Sequence, residues 1–177
     1  MKHLLIAGLV ALAAVAGQAT AAPSDGTVVR RTTLVVNDLD ASIAFYRTLG
    51  FELWYDGKGG TVTGQGLPVD GTKVGDPTRL VIMKGKDPYI GMVGLLQYGP
   101  KRPLPKLDGR MQVGQSILMI ETKGIAAITE KLKAIGARIH KGPDTSHIKS
   151  VSDEWDATFL MVFDPDGRMI ELTERLN

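Results

Sequence analysis

Leu34-Val35-Val36-Asn37-Asp38 is answered 84 positions later by Leu118-Met119-Ile120-Glu121-Thr122. Two glycines placed to end helices, Gly50 and Gly136, lie 86 positions apart. Each half of the chain reads strand, helix, strand, strand, strand. Self-similarity on this scale marks a duplicated unit. A unit of about 70 residues buries a core poorly by itself, so the two halves are expected to pack together. The fold class expected is α+β, with two tandem βαβββ modules.

The local pattern supports that reading. Thr27 to Asn37 alternates β-branched and apolar residues and reads as a strand. Asp38 is placed to cap a helix whose face is Leu39, Ile43 and Tyr46, widened by Phe45 and Leu49. Gly50 supplies the left-handed terminal residue, and Phe51 to Tyr55 reads as a strand. Between Gly57 and Asp76 seven glycines predict a mobile hairpin or loop. No Walker-type lysine pattern accompanies them, so a phosphate loop is not expected. Arg79–Lys84 and Gly91–Tyr98 complete module one, spanning 28–99. Pro100, Pro103 and Pro105 stiffen a connector over 100–113 that carries Lys101, Arg102, Lys106 and Arg110. In module two, 114–177, Gln115–Glu121 reads as a strand. Thr122 is the expected N-cap, and Ile125, Ile128, Leu132 and Ile135 form a helix face. A strand over Ala137–His140, a polar loop from Gly142 to about Asp156, and a hairpin closed by Asp164-Pro165-Asp166-Gly167 follow.

The amino terminus is of another kind. Lys2 and His3 precede an apolar run from Leu4 to Gly17, followed by Ala19-Thr20-Ala21. A basic start, a short apolar core and a small-x-small site predict a secretory signal peptide over 1–21, leaving 22–177 as the mature domain. The run is shorter than the ~20 residues a bilayer span needs, so no stable membrane insertion is expected after its removal. A secreted or periplasmic destination follows. With 21 Lys+Arg against 19 Asp+Glu, the net charge of +2 gives no nucleic-acid footprint. The absence of cysteine excludes disulfides, thiolate metal sites and cysteine nucleophiles.

Two stretches carry a family resemblance. Arg31 to Phe51, RTTLVVNDLDASIAFYRTLGF, resembles the opening module of the vicinal oxygen chelate superfamily, which includes glyoxalase I, bleomycin-resistance proteins and extradiol dioxygenases. Phe163 to Leu172, FDPDGRMIEL, resembles its closing hairpin. The resemblance implies two mixed sheets curving around one cavity, a small-molecule ligand or substrate, and a homodimer, since modules in this family often pair between chains. It also implies a divalent metal held by one side chain from the first strand and one from the last strand of each module. Matched to this chain, those positions are Arg31, Leu95, Gln115 and Glu171. Glu171 is the usual carboxylate ligand, and glutamine can stand in for histidine in some glyoxalases. The resemblance therefore offers Glu171 and Gln115 as metal ligands and Glu171 as the catalytic base.

Arg31 brings a permanent positive charge where the cation would sit and has no lone pair to donate. Three arrangements remain open on these residues. Gln97, two positions beyond Leu95, serves as a displaced metal ligand beside Gln115 and Glu171. Arg31 and Glu171 neutralise each other inside the cavity. Arg31 hooks an anionic ligand, with Gln97 and Gln115 as hydrogen-bond partners. Two functions follow: a glyoxalase- or dioxygenase-like lyase or isomerase with degenerate ligands, or a metal-free binding protein of the bleomycin-resistance type. Elsewhere, His147 lies among Asp144, Asp153, Glu154 and Asp156 in a spacing that fits no standard cation loop and reads as solvated charge.

Overall fold

The computed structural model describes residues 26–104, 110–111 and 113–176. The expected leader over 1–21 and Pro105 and Lys106 of the connector lie outside the described residues. Module one comprises β1 (Arg31–Val36), α1 (Leu39–Thr48), β2 (Glu52–Thr61), β3 (Pro77–Lys84) and β4 (Met92–Tyr98). Module two comprises β5 (Leu118–Glu121), α2 (Ile125–Ala134), β6 (Arg138–Lys149), β7 (Glu154–Phe163) and β8 (Met169–Arg175). The sheets run β1-β4-β3-β2 and β5-β8-β7-β6, each mixed, with its first and last strands parallel. This is the expected pair of βαβββ modules.

Both helices stop for the same reason. Gly50 and Gly136 adopt φ of 99° and 71°. The amide of the following residue then reaches back to the last turn, Phe51 N to Tyr46 O at 3.1 Å and Ala137 N to Leu132 O at 2.9 Å. They start differently. Asp38 caps α1 through its side chain, which accepts from Ala41 N at 3.2 Å. The N-cap of α2 is Gly124, not Thr122, and it has no side chain to offer. Glu174 of β8 takes over, accepting from Gly124 N at 2.8 Å and Ile125 N at 3.0 Å. Those two amides hold its carboxyl below the ordinary glutamate value.

One hydrophobic core serves both modules. Leu34, Phe45, Tyr46, Val93 and Leu95 of the first pack in the same cluster as Ile125, Leu132, Ile170 and Leu172 of the second. The Asp164–Gly167 turn fastens the halves. Asp164 is buried and accepts from Tyr46 Oη at 3.3 Å and Arg168 Nη1 at 3.1 Å. Asp166 accepts from Asn37 N at 2.8 Å, and Arg168 Nη2 donates to Val35 O. Burial pushes the Tyr46 hydroxyl upward in pKa, reinforced by the charge of Asp164. Burial likewise raises the Asp166 carboxyl.

The polar stretch 142–156 is not a loop. It forms most of a long β6–β7 hairpin in which His147 faces Asp156 and Thr145 faces Thr158. Cross-strand polar pairs hold a hairpin whose faces are both wetted, a case that alternation of apolar residues cannot reveal. Similarly, β2 extends through Gly57–Thr61, beyond the expected end at Tyr55, with bulges in its pairing to β3.

Candidate functional site

Side chains alternate across a strand. In β4, Val93 and Leu95 are in the core, so Gly94 and Leu96 point to the opposite, open face. In β8, Ile170 and Leu172 are in the core, so Glu171 points to the open face. The counterpart of Glu171 is therefore Gly94, not Leu95. A one-residue slip in matching two strands turns every side chain over. Gln97 shares the core-facing side with Leu95. Its Oε1 accepts from Leu39 N at 3.3 Å, so it helps cap α1 and takes no place beside Glu171.

The pairing registers place the rest. One row of open-face residues crosses the first sheet as Tyr55, Ile82, Gly94 and Thr33. The equivalent row in the second sheet is Lys141, Met161, Glu171 and Met119. Thr33 answers Met119, so Arg31 answers Ile117. The N-caps Asp38 and Gly124 keep the same 86-residue interval. Gln115 lies two residues earlier, before β5 begins, and lines a separate recess with Ser116, Gly167 and Met169. The 84-residue match is therefore two positions out, since strand row, N-cap and helix-ending glycine all keep an interval of 86.

The four positions that would hold a metal thus carry a guanidinium, no side chain, an isoleucine and one carboxylate. These residues do not fit the group, since a divalent ion needs several converging oxygen or nitrogen donors. Among the described residues no cluster of three His, Cys, Asp or Glu side chains could hold a metal ion. Arg31 fills the space that Gly94 leaves. A Cβ at Gly94 would lie 3.1 Å from Arg31 Cδ and 2.8 Å from Thr33 Oγ1. Arg31 Nε donates to Thr33 Oγ1 at 2.9 Å, which fixes the guanidinium across the glycine.

Arg31 and Glu171 do not form the expected ion pair. The Glu171 side chain is half-buried and makes no hydrogen bond or ion pair among the described residues. It lines a cavity of about 300 Å³ with Lys141, Asp144, Ser146, Phe159 and Met161. Lys141 carries no signal in the sequence, and Asp144 reads there as solvated charge, because the stretch from Gly142 onward lacks the apolar alternation of a strand. The readable signal was Gly142-Pro143 inside a polar strand, since glycine and proline together mark a bulge. His147 bonds Asp156 at 2.9 Å and lies 3.5 Å from Glu154, both on the hairpin surface. The hydrogen bond to Asp156, then that to Glu154, raises its pKa above the ordinary histidine value of 6.5.

The model of the Glyoxalase/Bleomycin resistance protein/Dioxygenase superfamily matches residues 28–172. The chain belongs to that superfamily. Solved structures with the same fold include a glyoxalase family protein from Bacillus cereus, at 17% identity and TM-score 0.63. That alignment covers 88% of this chain and all of the other. The trypanothione-dependent glyoxalase I of Leishmania major aligns at 18% identity and TM-score 0.53, over 84% of this chain and 86% of its own. A glyoxylase/bleomycin resistance protein/dioxygenase domain from Frankia aligns at 16% identity and TM-score 0.54, over 85% and 98%. No curated protein matches the sequence. Membership and low identity together fix the fold of this superfamily member and leave its chemistry to its own residues.

Proposed function

We propose that this superfamily member is an exported, metal-free small-molecule-binding protein of the bleomycin-resistance type. The observation that carries the reading is Arg31 lying across Gly94. A fixed cation occupies the place of one family ligand, and the strand beside it has lost another. The terminal amino groups of Arg31 hold no hydrogen-bond partner among the described residues. A planar guanidinium with free donors suits a carboxylate or another oxyanion. A small acidic compound is the ligand expected. As in relatives that pair modules between chains, the protein works as a homodimer.

The test is elemental analysis of the purified mature protein, with thermal shift on adding Mn, Fe, Ni or Zn. No bound metal and no shift are expected. Stoichiometric metal that disappears in Glu171→Gln would overturn the reading. The intact mass of the exported protein should correspond to cleavage after Ala21; a retained amino terminus would remove the export arm.

A second reading keeps Glu171 as a base in a lyase or isomerase. Its unpaired carboxylate favours this, because a base must be free to take a proton. Turnover of an acidic carbonyl compound that Glu171→Gln abolishes without loss of binding would select it.

A further inference from the structure

The edge strand β6 contains an irregularity with a chemical consequence. In its pairing with β7, Lys141 faces Met161 and Asp144 faces Phe159. Three residues of β6 therefore span two of β7. In a regular strand, positions 141 and 144 would point to opposite faces. The extra residue turns both to the open face. Gly142 makes this local path available. Its φ is +91°, and a Cβ there would lie 2.4 Å from Phe159 O.

The result is a mixed-charge cavity on the second sheet. Lys141 and Glu171 stand in the same row, with Met161 between them. Two strand spacings separate their backbones, about 10 Å. Asp144 stands one row away, beside Phe159. All five residues line the same cavity of about 300 Å³. Lys141, Asp144 and Glu171 make no ion pair with one another or with other described residues. Lys141 and Asp144 are exposed and Glu171 is half-buried, so all three charges are open to a ligand over an apolar floor.

We propose that this cavity binds a zwitterionic small molecule, an amine-bearing acid with an apolar body. Lys141 takes the acidic group, Glu171 and Asp144 take the ammonium, and the apolar body lies on Phe159 and Met161. With Lys141 at one end of the row and Glu171 at the other, the ligand's acid and ammonium groups take a fixed direction along it. The proposal rests on the binding reading above and adds to the Arg31 site on the first sheet a ligand site on the second.

Phenylalanine is the probe, with 3-phenylpropionate and 2-phenylethylamine as single-charge controls. Binding is followed by the methionine methyl resonances of the mature protein, with Met161 assigned through Met161→Leu. Phenylalanine should shift the Met161 methyl and bind about tenfold more tightly than either control, the gain of one charge-assisted contact. Lys141→Ala should reduce phenylalanine to the affinity of the amine. Asp144→Asn with Glu171→Gln should reduce it to the affinity of the acid. Lys141→Gln gives a second, milder variant should the alanine variant fold poorly. A control that binds as tightly as phenylalanine would overturn the proposal, as would the lack of any Met161 shift from all three compounds. The metal assay decides the parent reading independently, so the two failures are distinguishable.

Discussion

At the scale of single residues, the most consequential side chains outside the site are those around Asp164. Its carboxylate is fully buried and is satisfied by Tyr46, Arg168 and the backbone amides of Asp166 and Arg168. Tyr46→Phe removes one of several donors and should cost about 1 kcal/mol in denaturant unfolding. Arg168→Ala removes the guanidinium from Asp164, Asp166 and Val35 O together. Its cost should be larger, about 2 kcal/mol, moderated by the partial exposure of the arginine. Equal losses for the two variants would mean that the turn is not held through the arginine. At this scale the sequence was readable where one residue type answers one need. Asp38 as a cap, Gly50 and Gly136 as helix ends, and Gly167 in the turn are such cases. It was unreadable where a role depends on register. Gln97 looked like a donor for the site and is a helix-capping residue, because parity along β4 was counted from Leu95 rather than Gly94.

At the scale of elements, α2 depends on a distant strand for its start. Glu174 lies 50 positions from Gly124 in sequence. No local capping signal could disclose that bond, which is why Thr122 was the natural expectation. Glu174→Ala should cost about 1 kcal/mol near neutral pH, measured by urea unfolding. The acid dependence has a definite sign. The folded-state pKa of Glu174 is depressed, so its stabilisation is present above the ordinary glutamate value of 4.5 and fades as pH falls through the lower folded value. The difference between the native protein and Glu174→Gln should therefore shrink below that value. A difference that grows on acidification would contradict the capping role. The β6–β7 hairpin was similarly hidden. Its stabilising pairs are polar, and the bulge beside Gly142 breaks the alternation that identifies a strand.

At the scale of the whole molecule, the repeat and the two end motifs were enough for the architecture, since each half had to find a partner face. The shared core makes the halves interdependent. Residues 26–104 or 114–176 expressed alone should show no cooperative thermal transition, because Tyr46, Leu132 and Leu172 would each lose packing neighbours from the other half. A cooperative transition in either fragment, seen by circular dichroism, would show that the modules are autonomous. The candidate site was less legible than the fold because duplication preserved the backbone while the side chains diverged. Gly94 and Glu171 occupy equivalent places, yet one row has lost its side chain and the other has kept a charge.

The clamp between Arg168 and Val35 also bears on timing. Its partners are 133 positions apart. As the chain emerges during synthesis, β1 can pair with β4 once module one is out, but its tie to the Asp164–Gly167 turn waits until nearly all of module two has appeared. Contacts of such long sequence separation form late and slow the closing of a fold. The joining of the two halves thus comes at the end of the chain's own production, after the strands of the first sheet are already available to one another.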